Sequence, residues 1–495
     1  MPILVTVSSL KNMYLKNAAI YLMSLCFFAS ACSYEASINT ANIIAEDVSV
    51  LDSFSDVSEV LTLERAVMLA LNNNLDAKIA QQDFAVSLSD VDLQRLNALP
   101  TIEARREFIK RSNDGASSSV SAETGVESLE PSISTDRSRR IDALEANWDL
   151  VDAAINIYRS KSTEDQAEIA RERYRKVIQN VALDTYSAFW RLALLQDQIP
   201  YVEALIDLSN SKLDALSSAK ASGDMPYDRV TSLQKEILAL RKGLMDAKRN
   251  QRLAELELKA LLSVSPSQPL QVVYDKAELK SVSDFLSRKS VGYYVEKALQ
   301  GRPEIKEEIL NLKVAKRNVN SEIFQSFPGL SLLVRGNDDD NSFLDDAQWF
   351  DFTATLSQSI TRLLTLPARY QKSKKEIELA DARRRALVAA VMFQVNLSYA
   401  GYEDAYNAYK ESSNLFSVMV DERYRKQVME ENGLIGGLEG FIAQAQFQLD
   451  EIEAGSSLVD VLVAQADLKH SAGFDPAEYL GQRLGNEIKG ITTDG

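Results

Sequence analysis

Leu150 to Ser222 reads LVDAAINIYRSKSTEDQAEIARERYRKVIQNVALDTYSAFWRLALLQDQIPYVEALIDLSNSKLDALSSAKAS, and almost nothing in it would stop a helix. A continuous helix over this stretch would run about 100 Å at ~1.5 Å per residue. Two apolar stripes run along it: Val177, Val181, Ala188, Leu192, Leu195 and Ile199, and beside them Ile178, Ala182, Tyr186, Phe189 and Ala193. Steps of three and four residues hold each stripe on one side of a helix. Two stripes predict neighbours on two sides, as for a helix within a coiled-coil wall. Pro200 removes an amide and should bend the rod. A helix of this length suits a spacer, a stalk or a tunnel better than an ordinary enzyme.

Composition narrows the choice further. The chain has 495 residues, enough for two to four domains or one repeat protein, and 45% hydrophobic residues can form a core. A net charge of −16 argues against nucleic acid, because phosphate binding needs a basic face. There is one histidine, His470, and both cysteines, Cys26 and Cys32, lie near the N-terminus. The rest of the chain therefore cannot assemble a thiolate or imidazole zinc site or a Cys–His pair, and a Ser–His–acid triad would have to use His470. That residue ends a helical run and reads as a structural or surface group. Chemistry of these kinds is not expected, and no cofactor is implied.

The first residues read as a targeting segment. Lys11 and Lys16 precede an apolar run from Ala18 to Ala31, the length of a signal-peptide core, and Met13 is an alternative start. Ala29-Ser30-Ala31 before Cys32 fits a lipobox, which would leave Cys32 acylated; it also fits ordinary signal peptidase. The lone cysteine favours acylation, and Ser33 after it would then direct the lipoprotein to a Gram-negative outer membrane. No later run is long and apolar enough for a membrane-spanning helix.

Taken in order, residues 1–31 are the signal peptide and 32–60 an extended, acidic N-terminal arm. Residues 61–262 form a first repeat: a helix capped by Thr62 and broken near Asn72-Asn73-Asn74, a strand pair within 101–150, then a long helical hairpin, 151–262. The strands show as alternation, with Ile102, Ala104 and Phe108 on one side, and then Leu144, Ala146, Trp148 and Leu150. Residues 263–291 are a linker. Residues 292–473 repeat the order, with a strand pair within 329–360 and a hairpin over 361–473 whose long helix starts near Ala368; 474–495 is a tail. An offset of 228 carries Val67 to Val295, Ala70 to Ala298, Leu71 to Leu299 and Pro100 to Pro328; an offset of 212 carries Tyr158 to Tyr370 and Arg171 to Arg383. The repeated order of elements points to duplication.

Four strands cannot close a barrel, and an open sheet in lipid leaves edge amides unpaired. Strands of about ten residues with Phe350, Phe352, Ala354 and Leu356 on one face and Asp351, Thr353 and Thr355 on the other fit an outer membrane, so several chains should pool them.

This pattern resembles the TolC-like outer-membrane efflux protein family. The resemblance rests on Leu61-Thr62-Leu63-Glu64-Arg65-Ala66-Val67 with Ala70-Leu71 and Asn74, on Pro100 and Pro328 before strands, on Arg302-Pro303-Glu304-Ile305, and on Trp148-Asp149-Leu150. It covers nearly all the chain after Val60. It implies a mainly α fold with a small β part: duplicated long coiled-coil hairpins and four transmembrane strands per chain. In a homotrimer these give a twelve-strand β-barrel in outer-membrane lipid and an α-helical periplasmic tunnel. It further implies a passive export duct for efflux or type I secretion, docked to a periplasmic adaptor and an inner-membrane transporter. The alternative is a lipid-anchored periplasmic coiled-coil adaptor or scaffold without a pore, which should also carry glycine-rich β domains.

The resemblance assigns sites residue by residue. The turns at Gly223-Asp224 and at Gly433, Gly436 and Gly437 become adaptor-docking tips, or else plain helix–helix turns. Glu439 becomes a tunnel-aperture carboxylate, or else a solvated helix charge. Phe350, Phe352, Leu356 and Trp148 become lipid-facing, and Arg383, Arg384 and Arg385 read as surface ion-pair partners. Two departures stand out: Thr365-Leu366-Pro367-Ala368 replaces the usual Phe-x-Gly-Gly junction, and Arg106 points toward what should be lipid.

Overall fold

The computed structural model describes residues 40–53, 60–128, 130–274, 289–434, 436–476 and 478. The leader and Cys32 lie outside these residues, so neither cleavage reading is tested. The chain divides into two units, Met1–Ser58 with Val264–Gln268, and Glu59–Ser263 with Pro269–Gly495. In the first, Thr40–Ser53 is a helix, α1, where an extended arm was expected. Its sequence holds no glycine or proline, and Ile44 and Val48 stand one turn apart, a helical spacing that scattered valines had obscured.

The second unit opens with α2 (Leu63–Asn73) and α3 (Leu75–Leu96). The Thr62 side chain accepts a hydrogen bond from the Arg65 amide at 3.3 Å, closing the first turn. Asn74 ends α2 and caps α3, its Oδ1 accepting from the Ala77 amide at 3.1 Å, so the asparagine run marks a true break. Strand β1 (Thr101–Lys110) follows Pro100. A loop carrying the two-residue pair β2 (Ala116–Ser117) and β3 (Ser132–Ile133) leads to β4 (Ser138–Asp149).

Asp149 then caps α4 (Leu150–Gln196), accepting from the amides of Val151 and Asp152 at 3.0 and 2.9 Å. The Leu150–Ser222 stretch is two helices, because Asp197 and Gln198 separate α4 from α5 (Ile199–Ser222). Pro200 sits in the first turn of α5, where a missing amide costs nothing. The return helix α6 spans Tyr227–Leu261. Phe189, Leu192, Ile178 and Ala188 are fully buried, so the two stripes of α4 do face neighbours.

The second repeat has the same order: α7 (Val291–Gly301), α8 (Pro303–Phe324), β5 (Gly329–Asp339), β6 (Gln348–Ser357), α9 (Ile360–Glu431) and α10 (Gly437–Ser471). Helix α9 starts well before Ala368. Ser359 caps it by accepting from the Arg362 amide at 3.3 Å, and Pro367 lies inside the helix rather than ahead of it. So near the helix start, the missing amide leaves only the Leu363 carbonyl without its ladder partner.

The duplication is also visible in contacts. The Asn74 side-chain amide donates to the Leu261 carbonyl at 3.4 Å, tying the α2–α3 break to the end of α6. The same two sequence offsets carry Asn74 to Arg302 and Leu261 to Gly473, and there the backbones themselves approach. A Cβ on Gly301 would stand 2.8 Å from the Gly473 carbonyl oxygen, and one on Gly473 (φ +73°) 2.8 Å from the Arg302 nitrogen. Only glycine fits this approach.

The four long strands form one antiparallel sheet in the order β1-β4-β5-β6. The two repeats thus join through β4 and β5, and β1 and β6 are its edges.

Candidate functional site

The sheet register sorts the side chains into two faces. One carries Ile102, Ala146, Val334 and Phe352 in a single cross-strand row. Phe350 and Leu356 lie on that face, as do Trp148, Leu332 and Ala354 in another row. Phe350, Phe352 and Leu356 are 88%, 70% and 73% exposed. Trp148 is less exposed, and its indole nitrogen donates to the Ala98 carbonyl at 3.1 Å, which places it at the helical end of the sheet. From Leu356 to Phe350 the apolar band runs about 20 Å along the strand.

Arg106 lies on this face beyond the band. Its guanidinium meets both Asp142 carboxylate oxygens at 2.5 and 2.9 Å, in a row with Asp338. The charge that looked misplaced in sequence is therefore paired, and Phe108, 75% exposed, follows it on the same face. The opposite face is polar. Glu145 pairs with Arg105 and with Arg335 at 2.9 Å each, and Asp351 accepts from the Asn337 amide at 2.8 Å. One apolar and one charged face is the pattern of a strand set between lipid and a water-filled lumen.

At the far end of the helices, Gly223 (φ +75°) closes α5 in the left-handed conformation and donates to the Ala219 carbonyl. The Asp224 amide donates to the same oxygen at 3.2 Å. Gly433 (φ +68°) follows the Asn432 cap of α9 in the same left-handed conformation and donates to the Glu430 carbonyl at 2.9 Å, while Gly436 is the N-cap of α10 and Gly437 its first residue. Beneath these turns an apolar cluster joins the hairpins: Val230, Leu233 and Ile237 of α6 pack with Phe441 and Ala445 of α10.

Glu439 stands in the first turn of α10, half-exposed, with a carboxylate oxygen 3.5 Å from a guanidinium nitrogen of Arg229 in α6. The pair links the first hairpin to the second at their tips. Arg229 went unnoticed in sequence, though its place three residues after Pro226 matches that of Glu439 three residues after Gly436. Arg384 and Arg385 both pair with Asp381, at 2.9 and 2.7 Å, as expected of a helix surface. Among the described residues no group of His, Cys, Asp and Glu could hold a metal ion, and no helix is long and apolar enough to cross a membrane.

The family described as outer membrane efflux protein matches residues 66–264, most of the first repeat. Over those residues the chain is similar to that family. Solved structures extend the likeness over both repeats. The CusC structure shares 14% identity and a TM-score of 0.63, covering 83% of this chain and 92% of CusC. The CmeC outer membrane channel of Campylobacter jejuni shares 13% identity and a TM-score of 0.61, covering 87% and 89%. The MtrE outer membrane channel of Neisseria gonorrhoeae shares 16% identity and a TM-score of 0.60, covering 83% and 89%. No curated protein sequence matches the chain. The mainly helical fold with a small sheet is shared with these solved structures.

Proposed function

We propose that this protein is one third of an outer-membrane export duct, a passive channel of an efflux or type I secretion system that runs from the outer membrane into the periplasm. The observation that carries this is the pair of open flanks on the protomer. Strands β1 and β6 are the sheet edges, and the helices beside them, α3 and α9, leave apolar side chains uncovered. Ile79, Val86 and Leu93 on α3 and Phe393 and Leu397 on α9 are all exposed. A surface with two different unsatisfied flanks closes head-to-tail into a ring. Three copies would give twelve strands, enough for a barrel with no free edge.

In this ring Phe350, Phe352 and Leu356 face lipid, Trp148 sits in the periplasmic aromatic girdle, and the Glu145 network lines the lumen. Cys32, acylated, would tether the N-terminus to the same membrane. The Gly223-Asp224 and Gly433-Gly436-Gly437 turns form the end that meets a periplasmic adaptor, itself bound to an inner-membrane transporter. Glu439 stands at that end, held by Arg229, so opening the aperture would require this pair to part. A pore-free adaptor has no use for a sheet with one apolar and one charged face.

Conductance in a planar bilayer tests the reading. The purified protein should give discrete channels. Protein that inserts but never conducts would overturn it.

A further inference from the structure

The two repeats use the same joint for different side chains. In the first, the end of α6 is anchored by Asn74, and Leu258 in its last turn is wholly buried. The offset of 212 carries Leu258 to His470, in the last turn of α10. The fold thus accepts a hydrocarbon at this place, yet in the second repeat it holds the chain's one imidazole.

His470 is set in a cluster of charges drawn from every element around it. Its Nε2 lies 3.1 Å from the Asn180 Oδ1 of α4. Arg302, at the α7–α8 break and nearly buried, donates to the Gln394 side chain of α9 at 2.7 Å and pairs with Glu304 at 3.2 Å. Lys176 of α4 reaches Glu304 at 3.4 Å. Asp467 stands about one turn before His470 on α10 and pulls its pKa up, while Glu478 does the same for the neighbouring Lys469. Two cations, Arg302 and Lys176, and two carboxylates, Asp467 and Glu304, therefore already act on His470 through their charge.

We propose that His470 makes this clasp a proton-sensitive joint, in which the neutral ring leaves the end of α10 anchored to Arg302 and α4, and a protonated ring loosens it. Burial foremost, and then the Arg302 guanidinium and Lys176, hold His470 below the ordinary imidazole range, against the pull of Asp467 and Glu304. Burial pushes the Glu304 carboxyl up, but Arg302 and Lys176 outweigh it, so Glu304 stays ionised and its charge is already engaged. A proton on His470 adds a third cation to a set balanced without it. With a native pKa below the unfolded one, the contribution of this residue is complete above about pH 6.5 and is lost as pH falls further. Glu439 and the docking tips lie at the other end of α10, so a loosened clasp frees the base of the helix that carries the aperture pair.

Hydrogen exchange on the intact assembly tests this at about pH 7.5 and about pH 5.5, on either side of the ordinary imidazole pKa. Acidification should lower protection across residues 464–474 by about threefold to tenfold, while the matching first-repeat segment, residues 254–262, stays unchanged. His470→Gln, and His470→Leu copying the first repeat, should abolish the response. His470→Lys should show the loosened exchange at both pH values. An acid response of the same size in His470→Gln or His470→Leu as in the unaltered protein would overturn the proposal, as would an equal change in residues 254–262.

Discussion

The long helices of the two repeats are quasi-equivalent in sequence and opposite in setting. In α4, 20 of 47 residues are buried; in α9, only 5 of 72 are. Helix α4 lies in the interior of the wall, between α3 and α8, with α6 and α10 also against it. Helix α9 has α7, α8 and α10 as its chain neighbours, and turns Phe393 and Leu397, 76% and 74% exposed, away from its buried Val391 and Val395. The two helices carry similar apolar patterns, so the difference is one of position. One stands mid-wall and the other at its edge, the flank that the proposed ring would cover with a second copy.

The comparison breaks or holds on two truncations of the same side chain. Phe189→Ala, in α4, should destabilise the protomer by about 3–5 kcal/mol, read as a lower urea midpoint. Phe393→Ala, in α9, should leave the protomer's own unfolding nearly unchanged and weaken subunit association by about 1.5–3 kcal/mol, read as dissociation on dilution in detergent. Equal effects on protomer unfolding would erase the distinction between interior and edge.

A smaller contrast separates the joints from the tips. Gly473 and Gly223 both have positive φ, but a Cβ on Gly473 meets the Arg302 backbone whereas one on Gly223 meets open space. Gly473→Ala should therefore cost backbone displacement as well as conformational strain, and Gly223→Ala only the strain, about 1–2 kcal/mol. Thermal unfolding of the two variants would show the larger shift for Gly473. The smallest effect on stability is expected for Glu439→Ala, since its pair with Arg229 is exposed and contributes about 0–1 kcal/mol. Its consequence should be functional, with raised conductance or reduced block by divalent cations; an unchanged response to both would remove Glu439 from the aperture.

Much of this architecture was legible in sequence because its signals are local. Thr62, the Asn74 break, Pro200 and the glycine turns each act through their own backbone, and strand alternation reads directly as two faces. What stayed hidden depends on partners. Ile79, Val86 and Leu93 recur at a helical spacing and yet lie exposed, because periodicity says that a face is apolar and not which chain covers it. Arg106 looked like a flaw because Asp142 lies 36 residues away across the sheet. Arg229 and Glu439 are remote in sequence and meet only because both hairpins end at one level. Proline-based reasoning misplaced the start of α9, since a cap at Ser359 outweighs a single lost amide at Pro367.

The central claim is that this chain is an edge-to-edge wall segment that is complete only in company. Native mass spectrometry of the protein extracted in mild detergent tests it most directly. The account predicts a particle of three copies, and a single stable copy with β1, β6, α3 and α9 left uncovered would contradict it.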